Sequence, residues 1–212
     1  MGHKVVIYGA GGHAKAIIDI IEKQATFEIV GLIDDKKPVQ ETVLGYKVLG
    51  THEILGALRS QGIHLGFVAI GDNEVRAAKT ELLVAAGFRM ISPIHPFSSI
   101  GRDANIGHGS CVFHGVVIDP CTHIGKGVIV NKKALVGHDS RIDNFVHMAP
   151  GVNCGANVKI GKKTFVGIGA TIISGISIGS HTIIGAGSVV VRNVEADVTV
   201  LGLPAKIVKK HK

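Results

Sequence analysis

Residues 136–155 read VGHDSRIDNFVHMAPGVNCG. Two histidines, His138 and His147, stand nine apart, and Asp139 follows the first directly. Glycines and small aliphatics surround them, with neither the stripe of a helix nor the strict alternation of a half-buried strand. Order emerges on stepping six residues at a time. Val136, Ile142, Met148 and Cys154 share one register, which runs back to Ile100 and forward to Val190, and all sixteen of its positions are apolar. The next residue is glycine in nine cases, and the residue four on is Ala, Ser, Thr or Val in fifteen, Ile176 being the exception. A period of six predicts a hexapeptide parallel β-helix, each rung forming one wall of a triangular prism. The aliphatic points inward, the small residue takes the tight corner, and the glycine relieves backbone crowding. Three rungs close a coil, so residues 18 apart stack about 4.8 Å apart. About five coils fit between 100 and 190.

The chain has 212 residues, enough for one large or two small domains. Hydrophobic residues make up 46% and aromatics only 4%, which suits a narrow, regular core. The net charge of +7 favours anionic partners, and the scarcity of aromatics argues against a base-stacking nucleic-acid platform, leaving small phosphate-bearing ligands. Three cysteines without a spacing motif argue against a disulfide framework and for a reducing compartment. The opening MGHKVVIYGAGG reads as a strand and a glycine turn, not a signal peptide. No apolar run approaches the ~20 residues needed to span a bilayer. A soluble, cytoplasmic protein without membrane insertion is expected.

The first half alternates strands and helices. KVVIYGAGGHAKAIIDIIEK is a strand, a glycine turn and a helix; FEIVGLIDD is a strand ending in paired acids; HEILGALRSQG reads as a helix, LGFVAIGDN as a strand and EVRAAKTELLVAAG as a helix. That order predicts a small parallel sheet with helices on its faces. About ninety residues make one mononucleotide-binding half rather than a full dinucleotide fold. Gly9-Ala10-Gly11-Gly12-His13-Ala14 fits GxGxxA between a strand and a helix, a place for phosphate at a helix N-terminus. Asp34 and Asp35 follow the second strand, where an acid bonds a ribose or base edge, or caps a turn.

These features resemble the hexapeptide acyltransferases, and the tail GLPAK at 202–206 is similar to that superfamily's closing signature. Together, YGAGGHA, the strand ending DD, AIGDNEVR and the prism with its His–acid pair resemble one group from residue 4 to about 208. It is the sugar acetyltransferases typified by the bacillosamine-pathway N-acetyltransferase and the sialic acid O-acetyltransferases. The resemblance implies a truncated Rossmann-like α/β domain over 1–93 that binds a nucleotide-linked amino sugar. It implies a left-handed parallel β-helix over 94–212, with a short C-terminal tail, and a homotrimer using acetyl-CoA. On matched motifs, Gly11, Gly12 and His13 would face the nucleotide, Asp34 and Asp35 the uridine portion, and Gly71 would lie close by. His138 would be the catalytic base with Asp139 as helper, where the group usually has Glu. His147 would bond the thioester region of acetyl-CoA, and Gly155, Ala156, Ile168 and Ala186 would line the pantetheine path.

Coil arithmetic adds to this. Gly155 and Ala156 fall 18 after Gly137 and His138, and Gly167 and Gly185 are also 18 apart, which reads as a smooth strip for a long ligand or as ordinary rung glycine. An amine must be neutral to attack a thioester, and histidine is suited to removing its proton near neutral pH. Neighbours on a strand point to opposite faces, so a His138–Asp139 contact requires a sharp corner or an acid from another subunit. A backbone N–H near Gly155 or Ala156 is the expected oxyanion donor. Cys154 sits in the inward register and reads as core, so direct attack is expected.

The prism histidines show no pair 36 or five apart, the spacing of interfacial zinc sites in related prisms, and no metal is expected. Lys206, Lys209 and Lys210 read either as contacts to coenzyme phosphates or as a solvated tail. The expected function is N-acetylation of the 4-amino group of a nucleotide-linked amino-dideoxy sugar. O-acetylation of a sialic acid hydroxyl and a non-catalytic nucleotide-binding scaffold are the alternatives.

Overall fold

A computed structural model of the protein describes residues 2–211. Its chain divides into two compact units, one up to Pro96 and one from Phe97. The first unit is built on β1 (His3–Tyr8), which pairs in parallel with β2 (Phe27–Ile33) on one side and β5 (Leu65–Val68) on the other. The sheet continues outward through β4 (Tyr46–Gly50) and β3 (Thr42–Val43) beyond β2, and through β6 (Arg89–Met90) beyond β5. Helices α1 (Gly12–Gln24), α2 (Leu55–Ser60) and α3 (Asn73–Ala85) connect the strands. Val5, Val6 and Ile7 are fully buried, as a central parallel strand covered on both faces must be. Ala14, Ile17, Ile18 and Ile21 recur at helical spacing and form the buried side of α1. Full burial of each isoleucine contributes about 2 kcal/mol before entropy is counted.

Two details differ from the expected elements. The helix foreseen over HEILGALRSQG begins as a 3-10 turn, His52–Ile54, before α2. The β3–β4 hairpin lies in a stretch where no element was foreseen. Its turn residues Leu44 and Gly45 both have positive φ, 49° and 86°, the backbone sense that a tight hairpin needs. β4 then pairs in parallel with β2, and its Leu49 packs so close over Gly31 that a Cβ there would meet Leu49 Cγ at 2.6 Å.

The second unit is a left-handed parallel β-helix. Each rung strand is two residues long, the first facing out and the second in. The first face carries Leu135–Val136, Asn153–Cys154 and Thr171–Ile172; the second carries Arg141–Ile142 and Lys159–Ile160; the third carries His147–Met148 and Phe165–Val166. Parallel pairs join residues one coil apart, such as Leu135 with Asn153 and His147 with Phe165. Val136, Ile142, Met148 and Cys154 are fully buried. An antiparallel hairpin, Val198–Gly202 with Ala205–Lys210, closes the third face.

The corners explain the rest of the repeat. A Cβ on Gly137 would lie 2.6 Å from the backbone nitrogen of Ala156 in the next coil, so only glycine fits. The buried small residue four positions after the aliphatic does more than fill space. Ser110 Oγ donates to Gly125 O (2.7 Å) and accepts from Val128 N (2.9 Å), and Ser140 repeats this with Gly155 O (3.3 Å) and Val158 N (3.1 Å). These hydroxyls join one coil to the next.

Candidate active site

The strand–turn–helix at the start of the chain places the turn after β1 and the first turn of α1 at the carboxyl ends of β1, β2 and β5. There the chain crosses from one side of β1 to the other, the usual crevice of an open α/β sheet. A cavity of about 450 Å³ lies at this point. Gly11, Gly12, His13, Asp34, Asp35 and Gly71 all line it. Gly9 has φ 110°, and a Cβ there would lie 2.9 Å from Ala69 O, so glycine is required for the turn. At Gly11, Gly12 and Gly71 a Cβ would meet nothing within 4 Å, so these backbones face open space. Gly11 is the N-cap of α1 and supplies no capping side chain, and the first turn has no acid. Its N–H groups and the positive helix end are therefore available to an anion.

The two acids do different work. Asp34 ties the turn together: Oδ2 accepts from Ala10 N (2.8 Å), and Oδ1 accepts from Lys36 N (2.9 Å) and Lys37 N (3.1 Å). Asp35 gathers side chains from three elements. Its Oδ2 accepts from Tyr8 Oη (2.7 Å) and Lys79 Nζ (2.6 Å), while Oδ1 faces His52 Nδ1 (3.1 Å) and accepts from His52 N (3.3 Å). Burial works to raise the Asp35 pKa, but the bonds from Lys79, Tyr8 and His52 outweigh it and hold the carboxyl well below the usual carboxylate range. Burial, followed by the Asp35 bond, pushes the Tyr8 phenol up to about 12. Lys79 Nζ lies 5.1 Å over the Tyr8 ring. Behind the cavity, the buried Arg76 donates to the Ile70 and Gly71 carbonyls (3.2 and 2.9 Å) and to Asn73 Oδ1 (2.7 Å), fixing the loop that carries Gly71. Tyr8, His52, Arg76 and Lys79 were not foreseen. Only the glycine turn and the paired acids form a local motif; the partners of Asp35, namely Tyr8, His52 and Lys79, come from 17 to 44 residues away.

In the second unit, His138 and Asp139 occupy the corner between the first and second faces. Asp139 has φ 58°, and the residues one coil before and after it, Cys121 and Asn157, have 58° and 57°. This left-handed corner turns the chain sharply, so the two side chains meet despite being adjacent. His138 Nδ1 lies 2.7 Å from Asp139 Oδ2, with both side chains more than half exposed. The shorter acid therefore reaches the ring within one chain. The carboxylate takes Nδ1 as donor, which leaves Nε2 with the lone pair. Ala156 lies one coil on, where Asn157 N donates to His138 O (2.9 Å).

His147 stands elsewhere, on the third face, across the prism from that corner. Its Nε2 is 3.4 Å from Asn131 Nδ2, and its ring packs edge-on to Phe165 at 5.2 Å and 87°. Ile168, well exposed, and Ala186 flank the corner between the third and first faces. A single prism thus brings His138, Asp139, Gly155 and Ala156 together but holds His147, Ile168 and Ala186 apart from them. The smooth glycine strip is corrected. Missing Cβ atoms at Gly137, Gly155 and Gly167 would meet the adjoining coil at 2.6 Å in each case, so these glycines serve stacking, and one at Gly185 would meet the Leu201 side chain of the closing hairpin. The expected oxyanion donors are also engaged: Gly155 N donates to Ile172 O (2.9 Å) and Ala156 N to Ser174 Oγ (3.1 Å). Cys154 is buried, and burial pushes its thiol up to about 12, which removes it as a nucleophile. Lys210 pairs with Glu195 at 2.7 Å on the surface. Among the described residues, no helix is long and apolar enough to cross a membrane.

Comparison with known proteins sets this geometry in context. Residues 4–83 match the PglD N-terminal domain family, and residues 157–192 match the bacterial transferase hexapeptide family of six repeats. A curated relative, UDP-N-acetylbacillosamine N-acetyltransferase from Bacillus subtilis, is 32% identical over 108 residues. That match spans 51% of this chain and about half the length of the relative, 50%. Among solved structures, a mutant of perosamine N-acetyltransferase from Caulobacter crescentus in complex with CoA and GDP-perosamine is similar with TM-score 0.94 and 36% identity, over 98% of this chain and 97% of that one. The acetyltransferase domain of PglB from Neisseria gonorrhoeae, in complex with acetyl coenzyme A, is similar with TM-score 0.92 and 36% identity, over 98% of this chain and 100% of that one.

Proposed function

The chain belongs to the hexapeptide-repeat sugar N-acetyltransferases, and from that membership we propose that it transfers the acetyl group of acetyl-CoA to the 4-amino group of a nucleotide-linked amino-dideoxy sugar. The observation that carries the proposal is the His138 Nδ1–Asp139 Oδ2 contact of 2.7 Å on an exposed prism corner. Asp139 holds the ring with Nδ1 protonated, so Nε2 takes a proton from the sugar amine as its nitrogen attacks the thioester carbon. The new C–N bond forms, the oxyanion collapses, and the C–S bond breaks. The imidazolium then gives its proton to the departing thiolate, releasing CoA. No covalent enzyme intermediate is required, in keeping with the inert Cys154. In the first unit, the open end of α1 meets the diphosphate of the sugar nucleotide, with Gly11, Gly12 and His13 around it and Asp34, Asp35 and Gly71 lining the same cavity.

The working assembly is a homotrimer. His138 and His147 lie on opposite sides of one prism, so a site using both draws them from neighbouring protomers. The outward residues support this arrangement. The first face exposes Leu135, Thr171 and Val189, and the third Phe165 and Ile183, whereas the second carries Asn105, His123, Arg141 and Lys159 and faces solvent. His147, Ile168 and Ala186 of one protomer and Gly155 and Ala156 of its neighbour then serve acetyl-CoA.

A thiol-release assay tests the reaction with GDP-, UDP- and dTDP-linked 4-amino-4,6-dideoxy sugars and with sialic acid. CoA release that depends on a nucleotide-linked amino sugar is expected. Release with sialic acid alone would replace the amine by a hydroxyl, and no release with any acceptor, alongside nucleotide binding, would leave a binding scaffold.

A further inference from the structure

The cavity of the first unit has an asymmetry in its polar groups. Its acceptors are occupied by the protein itself. Both oxygens of Asp35 are taken by Tyr8, Lys79 and His52, both oxygens of Asp34 by backbone N–H groups, and the Ile70 and Gly71 carbonyls by Arg76. A carboxylate has about four acceptor positions, and Asp35 receives four contacts. The donors, in contrast, are open. They are the backbone at Gly11 and Gly12, where a Cβ would meet nothing within 4 Å, and the ammonium of Lys79, whose side chain is 26% exposed and lines the cavity. An ammonium carries three donors and no acceptor, and only one of them is needed for Asp35 Oδ2 at 2.6 Å. Asp35 and Tyr8 hold that ammonium at the carboxyl ends of β2 and β1, on the wall of the same cavity. With phosphate at the α1 terminus, ribose and base extend toward this wall.

We propose that Lys79 is a specificity-determining residue that donates to the keto oxygen on the base edge far from the ribose, guanine O6 or the O4 of uracil or thymine, and that Asp35 is its positioning residue rather than a direct ligand contact. The inference rests on reading the cavity as the nucleotide site. The base class follows from the chemistry. Guanine O6 and the O4 of uracil or thymine accept a hydrogen bond from Lys79. The exocyclic amines of adenine N6 and cytosine N4 are donors and find the ammonium in front of them, with the acceptor positions of Asp35 beside it already filled. The wall therefore selects keto bases and rejects amino bases.

Calorimetric titration of the full chain with GDP, UDP, ADP and CDP tests this, using wild type, Lys79→Met, Lys79→Gln and Lys79→Arg. Wild type is expected to favour GDP and UDP over ADP and CDP by about tenfold, the worth of one hydrogen bond to a charged group. Lys79→Met loses that preference because GDP and UDP weaken while ADP and CDP do not. Lys79→Gln, whose amide both donates and accepts, narrows it, and Lys79→Arg retains it. A wild-type protein without base preference would overturn the inference, as would a preference that survives in Lys79→Met. Equal weakening of all four ligands in Lys79→Met would assign Lys79 to phosphate and overturn it too. Failure of wild type to bind any nucleoside diphosphate would remove the cavity reading itself, and the inference with it.

Discussion

The carboxylate of Asp35 joins β1 through Tyr8, the turn after β4 through His52, and α3 through Lys79. Its folded-state pKa lies below the unfolded value of about 3.9. The bonds therefore add stability above that pH, and the contribution is lost as pH falls through the folded value. Asp35→Asn is expected to be less stable than wild type at pH 7 by about 1–2 kcal/mol, since the side chain is only 31% exposed and makes charge-assisted bonds. Thermal melts should show the gap closing below about pH 4. A gap that does not change between pH 7 and pH 3 would contradict this account. The paired acids were legible as a motif, but their division of labour was not. It depends on Tyr8, His52 and Lys79, which no local pattern connects to position 35. The His138–Asp139 pair was legible for the opposite reason, being adjacent in the chain. Its geometry still hinged on a left-handed corner at Asp139 that periodicity does not specify.

At the scale of elements, the prism was the most legible part, because a six-residue period admits one architecture and every rung repeats it. The hairpin at 42–50 was not, since its strands are short and its significance lies in the parallel pairing of β4 with β2. The roles of individual prism glycines were also hidden, because two kinds of glycine alternate along the chain. Gly167 is tight: a Cβ would lie 2.6 Å from Ala186 N in the next coil. Gly169 is open, with nothing within 4 Å, but has φ 65°. Gly167→Ala must displace backbone and is expected to cost about 2–4 kcal/mol. Gly169→Ala bears only left-handed strain, about 1 kcal/mol. Urea unfolding midpoints check the order, and a larger loss in Gly169→Ala would contradict the stacking role given to the rung glycines.

At the scale of the molecule, one chain carries His138 at one corner of the prism and His147 on the opposite face. The separation follows from the repeat: nine residues are one and a half rungs, so His138 lies at a corner and His147 in the middle of the third face. The outward residues differ between faces, with Leu135 and Val189 on the first and Phe165 and Ile183 on the third, against Arg141 and Lys159 on the second. The measurement that bears most directly on this account is CoA release by His138→Ala, by His147→Ala, and by the two variants refolded together in equal amounts to form the proposed trimer. His138→Ala alone is expected to lose about 10²-fold or more in turnover, the scale of general acid–base catalysis, and His147→Ala to lose turnover through its missing contact to acetyl-CoA. The mixture is expected to recover about a quarter of the wild-type rate, because one in four neighbouring pairs then supplies both intact histidines across a heterologous interface. Near wild-type turnover in His138→Ala, or a mixture no more active than its components, would contradict it.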